Sequence, residues 1–272
     1  MRLSVLLENT ALSEAYEAAH GLSIFAESAA GNFLFDTGPG PVFARNAESM
    51  QKDLSAADFA FISHGHQDHG GGLKRFLELN KEAPVYIREE AFEPHFSERG
   101  GKVRDISLDP LLKDNPRMHF TESCCRINEQ IISFSEPEER TALPLSNEGL
   151  TVKKEGHYRP DAFRHEQSLL LEEDGRLILF VGCAHRGLIN ITEAARRLAG
   201  RAPDVVIGGF HLSSRSGRAD RLETQDKIGA YLNEHNIIAY TGHCTGEKAF
   251  QRIKKISGER LQALSTGMCI RL

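Results

Sequence analysis

The 272-residue sequence lacks several features that would assign it to a class at once. Its five cysteines include no CxxC pair, and their number is odd. This pattern argues against a disulfide framework and favours a reducing cytosol. No apolar run is long enough to cross a bilayer, and the first residues lack the apolar stretch of a signal peptide. We therefore expect a cytoplasmic protein that does not enter a membrane.

An excess of positive charge is also missing. The chain has 33 lysines and arginines against 38 acidic residues, which gives a formal net charge of −5. Because a nucleic-acid-binding domain normally carries a basic excess, we expect no nucleic-acid partner. The hydrophobic share of 40% and the charged share of 26% are typical of a globular protein. The sequence leaves the oligomeric state open.

Short apolar segments alternate with amphipathic helical patterns along most of the chain. The segment ADFAFIS (57–63) predicts a strand that is buried on both faces and ends directly before His64. Two apolar runs flank Asp174 and Gly175, a pair that is typical of a β-hairpin turn. This alternation favours the α/β class with layered sheets and helices.

The interval from about 88 to 165 differs from the rest because it is polar and weakly periodic. We interpret it as an irregular cap or insertion on a single domain that spans residues 1–272. Its basic residues could bind an anionic group such as phosphate by charge-assisted hydrogen bonds, and a solvated loop surface is the alternative. These residues are Arg88, Arg99, Lys102, Arg104, Arg159 and Arg164.

The stretch SHGHQDHGGG (63–72) concentrates metal-ligand side chains at the end of the predicted buried strand. Residues i and i+2 of an extended chain point to the same side, so His64 and His66 can reach one ion. Asp68 and His69 follow where the chain turns, and they can face a second ion nearby. Imidazole and carboxylate ligands at this density suit zinc, manganese or iron. The alternative, a solvated polar loop, does not explain four such residues after a buried strand.

Further glycine-containing turns after predicted strands offer the ligands that this cluster lacks. They contain Cys183 and His185 in VGCAHRG, His211 in GGFHL and His243 in TGHCTG. Asp36, in FLFDTGPG, could accept the free ring N–H of a metal-bound histidine, or could simply organise a tight turn. Cys244 follows His243, and strand alternation predicts that its side chain points away from the site.

On these motifs the sequence resembles the metallo-β-lactamase superfamily. HGHQDH matches its HxHxDH signature, and FDTG matches its upstream aspartate motif. HEQSLLLEEDG, GCAHRGLIN, GGFHL and GHCTG resemble the branch that includes 7,8-dihydropterin-6-methyl-4-(β-D-ribofuranosyl)-aminobenzene-5'-phosphate synthase and many metal-dependent hydrolases. The resemblance implies an αββα sandwich of two mixed β-sheets flanked by helices, with the metal site along one edge between the sheets.

The resemblance also implies two divalent metal ions and their ligands. His64 and His66 would hold the first ion, and Asp68, His69 and His243 would hold the second. Cys183 lies where the superfamily usually has a bridging aspartate, and a thiolate can replace a carboxylate as ligand. His185 is expected as the missing ligand of the first ion, with His165 and His157 as alternatives. Zinc is the expected metal, and manganese and iron are the alternatives.

The chemistry that we expect from this site is hydrolysis by metal-activated water. Asp68 would orient the water as well as bind metal, and His211 would be either a ligand or a proton donor to the leaving group. We expect a small-molecule substrate, which carries phosphate if the basic residues of the cap bind it. One alternative is a transferase like the synthase of this branch, in which an aromatic carbon nucleophile displaces diphosphate from a pterin methyl group. Another is a non-enzymatic metal-binding sensor.

Overall fold

The computed structural model describes residues 1–135 and 137–272, and within them it has eighteen strands and six α-helices. The strands are β1 (Arg2–Leu7), β2 (Ser23–Glu27), β3 (Phe33–Phe35), β4 (Phe59–Phe61), β5 (Val85–Ile87), β6 (His95–Arg99), β7 (Lys102–Asp105), β8 (Met118–Phe120), β9 (Cys124–Arg126), β10 (Ile131–Ser135), β11 (Leu150–Lys154), β12 (His157–Pro160), β13 (Gln167–Glu173), β14 (Arg176–Phe180), β15 (Val205–Ile207), β16 (Ile238–Thr241), β17 (Leu261–Ala263) and β18 (Cys269–Arg271). The helices are α1 (Val42–Ser49), α2 (Gln67–Gly70), α3 (Leu73–Leu79), α4 (Leu188–Ala199), α5 (Leu222–Glu234) and α6 (Glu247–Ser257). None of these described helices is long and apolar enough to span a membrane.

Two seven-stranded mixed sheets form the body of the fold. The first has the strand order β18-β1-β2-β3-β4-β5-β8, and the second has the order β17-β16-β15-β14-β13-β10-β9. Strands β3, β4 and β5 are parallel in the first sheet, as are β14, β15 and β16 in the second. The remaining neighbours include antiparallel pairs such as β1 with β2 and β13 with β14. The predicted sandwich of mixed sheets is confirmed.

Side chains alternate between the inner and outer faces of each sheet, and both faces are buried. In β3, Phe33 and Phe35 pack in the cluster between the sheets, whereas Leu34 belongs to the cluster that α1 and α3 cover. Phe180 of β14 meets both phenylalanines from the opposite sheet, with ring centroids 5.4 Å away in each case. Helices α4, α5 and α6 cover the outer face of the second sheet. Burial on both faces explains why the central strands are almost wholly apolar in sequence.

Local elements that the sequence predicts are present at the expected places. Strand β4 lies within segment 57–63, and Asp174 and Gly175 form the turn between β13 and β14. Both turn residues have positive φ, 52° and 74°, as a tight hairpin of this kind requires. Helix α1 was not predicted, and it buries Phe43, Ala44 and Ala47 against the first sheet.

The interval 88–165, predicted to be an irregular cap, contains seven strands in its described part. Four of them form a separate antiparallel sheet in the order β12-β11-β6-β7, which we call the cap sheet. The other three, β8, β9 and β10, extend the two main sheets. Every residue of β7 and β12 is exposed, so these strands lack the apolar alternation that reveals a strand in sequence. The assignment of the whole chain to one domain stays a prediction.

Candidate metal centre

The candidate ligands meet at one edge of the sandwich, where strands of both sheets end. His64 and His66 follow β4, Asp68 and His69 lie in α2, Cys183 and His185 follow β14, His211 follows β15 and His243 follows β16. Because β14, β15 and β16 run parallel, their carboxyl ends lie at the same edge of the second sheet. The fold thus brings together side chains that are up to 179 positions apart, since 243 − 64 = 179.

The first cluster consists of His64, His66 and His185. The three ring centroids lie 4.7 to 4.9 Å from one another. Each Nε2 atom is buried and has no hydrogen-bond partner among the residues that the structure describes. A buried polar atom without a partner is costly, and a bound cation would satisfy it. Ligand atoms of His64 and His185 lie within 4.8 Å of each other and of the Cys183 sulfur, so these two rings can share one cation.

The same three imidazoles are held in their neutral form. Burial lowers the pKa of His64, His66 and His185 well below the usual value, because water is excluded from the rings. Positive charge on neighbouring imidazoles lowers each pKa further. A neutral imidazole keeps a lone pair on its unprotonated nitrogen, which is the form that binds a metal ion.

The second cluster consists of Asp68, His69, His243 and Cys183. His69 Nε2 lies 3.1 Å from His243 Nε2 and 3.2 Å from the Sγ atom of Cys183. His243 Nε2 lies 3.5 Å from Asp68 Oδ2. Nitrogen, sulfur and carboxylate oxygen are the ligand atoms that zinc takes in proteins.

Cys183 lies between the two clusters. Its sulfur is within 4.8 Å of ligand atoms of His64 and His185 on one side, and of His69 and His243 on the other. Burial raises the pKa of this thiol well above its usual value, so the thiolate needs a cation beside it. The position therefore fits a ligand that is shared between two cations.

The carboxyl group of Asp68 is ionised in spite of its position. Burial alone would raise its pKa, but hydrogen bonds with His20 and His243 lower the pKa well below its usual value. His20 Nε2 lies 3.2 Å from Asp68 Oδ2, and the Asp68 side chain is 26% exposed. The carboxylate can thus face both a cation and the solvent.

Four of the candidate histidines are fixed from behind through their Nδ1 atoms. The pairs are His64 with Ser63 Oγ at 2.9 Å, His69 with Asp36 Oδ2 at 2.6 Å, His185 with Asn147 Oδ1 at 2.9 Å and His243 with Asn9 Oδ1 at 3.0 Å. A ring that donates its Nδ1–H to such an oxygen presents the Nε2 lone pair to the metal. The four pairs orient the rings for coordination.

The groups that hold the histidine rings from behind form a supporting layer, and Asp36 is buried at its centre. Its carboxylate accepts hydrogen bonds from the backbone N–H and the hydroxyl of Ser63, both at 2.7 Å, and from His69. Burial is the largest single influence and would lower the pKa of His69, but the charge and hydrogen bond of Asp36, together with the charges of Asp68 and Cys244, raise that pKa. Asp36 thus contacts His69 directly and His64 through Ser63, and its role behind the metal ligands stays a prediction.

His165 and His157, the alternatives to His185, do not offer a free nitrogen to the first cluster. Both ring nitrogens of His165 are engaged, since Nδ1 accepts from the Gly65 N–H at 2.9 Å and Nε2 donates to Asp161 at 3.0 Å. His157 is exposed on β12 of the cap sheet. His165 thus supports the loop that carries His64 and His66.

His211 projects into the same space but keeps both of its ring nitrogens free. Neither nitrogen has a hydrogen-bond partner in residues 1–135 and 137–272, and the residue is only 7% exposed. Its ring centroid lies 4.0 Å from that of His185. The side chain can therefore act as a proton donor or as an additional ligand.

The prediction that Cys244 points away from the site is wrong. Its sulfur is buried, accepts a hydrogen bond from the His211 N–H at 3.2 Å and lies within 4.8 Å of the Cys183 sulfur. Strand alternation fails because His243 has a positive φ of 50° and residues 243–245 form a 3-10 turn. The alternation argument holds only while the chain remains extended.

Sequence reasoning missed residues that complete the site, among them His20 and Glu166. The Glu166 carboxylate accepts the backbone N–H groups of His185 and Arg186 at 2.7 and 2.8 Å, and burial raises its pKa to about 7. It holds the turn that presents His185. A glutamate directly after His165 was visible in the sequence, but nothing local links it to a turn 19 residues later.

A cavity of about 230 Å³ opens above the two clusters. His66, Asp68, Cys183, His185, His211 and His243 form its floor, while the cap sheet and the loop of residues 213–216 form part of its walls. The candidate ligands are thus accessible to a small molecule.

Comparison with known proteins agrees with this geometry. Residues 17–189 match the family described as the metallo-β-lactamase superfamily. The chain belongs to this superfamily. A crystal structure described as a metal-dependent hydrolase of the β-lactamase superfamily is 30% identical, with a TM-score of 0.82 and coverage of 100% of this chain and 99% of that one. The resemblance predicted from HGHQDH and FDTG is confirmed.

Two further similar proteins carry specific names. The chain is 26% identical over 268 residues to 7,8-dihydropterin-6-methyl-4-(β-D-ribofuranosyl)-aminobenzene-5'-phosphate synthase of Methanocaldococcus jannaschii, covering 93% of this chain and 90% of that protein. The structure of Zn²⁺-bound PqqB from Methylobacterium extorquens is 12% identical, with a TM-score of 0.57 and complete coverage of both chains. The second comparison shows a shared fold alone.

Proposed function

We propose that the protein is a hydrolase that uses two divalent cations, with zinc as the first candidate for both. Its substrate in this proposal is a small anionic molecule that carries phosphate. In this proposal His64, His66 and His185 hold one cation, and Asp68, His69 and His243 hold the other, with Cys183 shared between them. The observation that carries the proposal is the convergence of buried imidazole nitrogens that have no other partner in the described chain. Membership of a superfamily that includes metal-dependent hydrolases supports it.

When bound, two such cations lower the pKa of a water molecule towards neutrality and polarise an oxygen of the substrate. Asp68, ionised and partly exposed, orients the attacking water through its carboxylate. His211 donates a proton to the leaving group, because it faces the cavity with both ring nitrogens free of partners in the described chain. The hydrogen bonds behind the ligand rings keep their geometry constant during the reaction.

A transferase is the second candidate, and the similarity to a named synthase over 93% of the chain favours it. In that reaction an aromatic carbon nucleophile would take the place of water and would displace diphosphate from a pterin methyl group. The same ligands and the same cavity would serve both reactions, so product analysis has to distinguish them.

Metal analysis tests the centre itself. Protein purified without added metal and then dialysed against zinc should hold two equivalents by mass spectrometry. His66→Ala should lose at least the first equivalent and all turnover, because it removes a nitrogen that faces the first cation. His157→Ala is the matched control, since this histidine is exposed on the cap sheet. Full metal occupancy in His66→Ala would contradict the assignment.

Isotope labelling separates the two reactions. Phosphodiesters, phosphomonoesters, lactones, thioesters and β-lactams should be assayed in ¹⁸O-labelled water, together with pterin diphosphate and aminobenzene substrates. A hydrolase incorporates one solvent oxygen into its product, whereas a transferase joins the two organic substrates without solvent oxygen. A joined product without label would reject hydrolysis in favour of the transferase.

A further inference from the structure

Three arginine side chains line the cavity above the candidate metal centre. Arg99 lies at the end of β6, Arg104 in β7 and Arg215 in the loop that follows β15. In the register of the cap sheet, Ser97 is opposite Arg104, so both side chains are on one face. Arg99 is two residues from Ser97 in the same strand and shares that face. The three side chains therefore converge from two separate segments of the chain.

These arginines have no acidic partner within ion-pair distance among the described residues. None of the three forms an ion pair in residues 1–135 and 137–272, whereas nearby Arg218 pairs with Glu148 at 3.5 Å. Burial lowers the pKa of Arg99, and the positive charges of Arg215 and Arg104 lower it further. Like charges repel one another, so three neighbouring arginines without an ion-pair partner in the described chain favour binding of an anion.

The cluster opens into the same cavity as the candidate metal ligands. His20, Asp68, Cys183, His185 and His243 line that cavity together with the three arginines. A ligand that contacts the arginines can therefore reach the candidate metal ligands within one cavity.

The carboxylates that line the cavity already have other partners. Glu148 pairs with Arg218, and Asp105 accepts the backbone N–H of Ser107 at 2.8 Å. Asp68 is bound by His20 and His243. In the described residues none of these carboxylates is within ion-pair distance of the three guanidinium groups. Arg99 Nε donates to Ser97 Oγ at 3.1 Å, and its two terminal nitrogens remain for a ligand.

We infer that Arg99, Arg104 and Arg215 form a subsite that binds a phosphate group of the substrate which does not react, while the reacting bond lies at the metal centre. This inference rests on the proposed function. Guanidinium groups bind phosphate through paired, charge-assisted hydrogen bonds, and three of them match a dianion better than a monoanion. The subsite would select substrates by charge and would connect the cap sheet to the loop of residues 213–216 when substrate binds.

Binding of phenylphosphonate to the zinc-loaded protein tests the subsite, because this anion has no bond that the enzyme can hydrolyse. Isothermal titration calorimetry should compare it with neutral benzyl alcohol. Arg99→Ala, Arg104→Ala and Arg215→Ala should each weaken phenylphosphonate binding by about 10-fold to 100-fold, the range for a lost charge-assisted contact. Lys102→Ala is the control, since Lys102 lies opposite Arg99 in the same hairpin but does not line the cavity.

Several outcomes would overturn the inference. Equal affinities in wild type and all three arginine variants, with loss of binding in His66→Ala, would mean that the metal centre alone binds the phosphonate. Absence of phenylphosphonate binding to wild type at millimolar concentrations would also reject the subsite. Metal content is measured in every variant, so failure of the metal centre is recognised separately. Arg215 lies outside the cap sheet, so its variant remains informative if the two cap variants misfold.

Discussion

Replacement of Asp36 by asparagine tests whether the hydrogen bonds behind the histidine rings are needed for the rings to bind metal. Asp36 is fully buried and accepts hydrogen bonds from His69 and from two groups of Ser63. Asparagine has nearly the same shape, but one acceptor oxygen becomes an NH₂ donor. If this donor faces His69 Nδ1, the ring must accept there and carry its proton on Nε2. That proton would point towards His243 and Cys183, where the second cation is proposed to bind.

The size of the effect follows from these contacts. Loss of a partner behind a metal-bound histidine typically lowers metal affinity about 10-fold to 100-fold, which is about 1.4–2.7 kcal/mol. The fold itself should be destabilised by about 1.5–3 kcal/mol, because a buried charge-assisted hydrogen bond is replaced by an unfavourable contact. The first cluster should be affected less, since His64 is connected to Asp36 only through Ser63.

The assay for Asp36→Asn is zinc content after dialysis against a series of buffered zinc concentrations. The variant should retain one equivalent at concentrations that give two in wild type. Asp58→Asn is a matched control, because Asp58 is exposed and its carboxylate accepts the Asn32 N–H at 2.7 Å. Two equivalents bound with wild-type affinity in Asp36→Asn would refute the tautomer argument.

Further predictions concern close packing, acid stability and metal removal. Gly182→Ala should weaken zinc binding at least about 10-fold, because its Cβ would lie 2.1 Å from Ser63 Oγ, which holds His64 from behind. In the control Gly40→Ala the new Cβ meets nothing within 4 Å, so this variant should bind zinc normally. The hydrogen bond with Arg196 is the main cause that lowers the pKa of Glu193 to about 2. The ionised Glu193 carboxylate therefore stabilises the fold fully above its usual pKa of 4.5, and this stabilisation is lost as the pH falls through 2. Glu193→Gln should therefore cost about 1–2 kcal/mol at pH 7 and flatten the acid limb of the unfolding curve, allowing for solvent screening. Removal of the metal with a chelator should lower Tm by about 10 °C, and added zinc should restore it, since a cation at 1,000 times its Kd contributes about 4 kcal/mol per site. An unchanged Tm would argue against a structural contribution of the metal.

The central layers of the fold were predictable from sequence because burial on both strand faces leaves a continuous apolar run. Segment 57–63 and the runs around Asp174 and Gly175 carry such signals, and β4, β13 and β14 are found there. The cap sheet was not predictable for the opposite reason. Two of its strands are exposed along their whole length. The sheet forms only because the hairpin of β6 and β7 pairs, through β6, with the hairpin of β11 and β12, which is distant in sequence. Helix α1 is short and lacks a side-chain N-cap, so its sequence carries no start signal.

The turns that carry the candidate ligands could be found from sequence, whereas the residues that orient those side chains could not. A dense cluster such as HGHQDH is local, and strand-end motifs around Cys183 and His243 point to the same edge. Asn9, by contrast, lies in a loop and Asn147 ends a short 3-10 helix, and neither segment carries a motif. They reach the site only because the folded chain brings them there. The six basic residues singled out in the interval 88–165 illustrate the same limit, because only Arg99 and Arg104 line the cavity. Arg88 instead donates to the backbone of Thr121 and Arg164.

Backbone strain at the strand ends connects these observations. Asp36, Ala184, His211 and His243 all have positive φ values, between 47° and 56°, and each lies in a turn at the candidate metal centre. A non-glycine residue in this region costs about 1–3 kcal/mol and persists only where its surroundings fix it. Here the fixing contacts come from other elements, since the His243 N–H donates to Glu8 at 2.6 Å and the Asp36 N–H to the Phe61 carbonyl at 2.9 Å. An extended strand would send alternate side chains to opposite faces, whereas a left-handed residue turns the chain inward and allows successive residues to face one cavity. The geometry of the centre therefore depends on the completed fold, which is why a rule based on local alternation failed at Cys244.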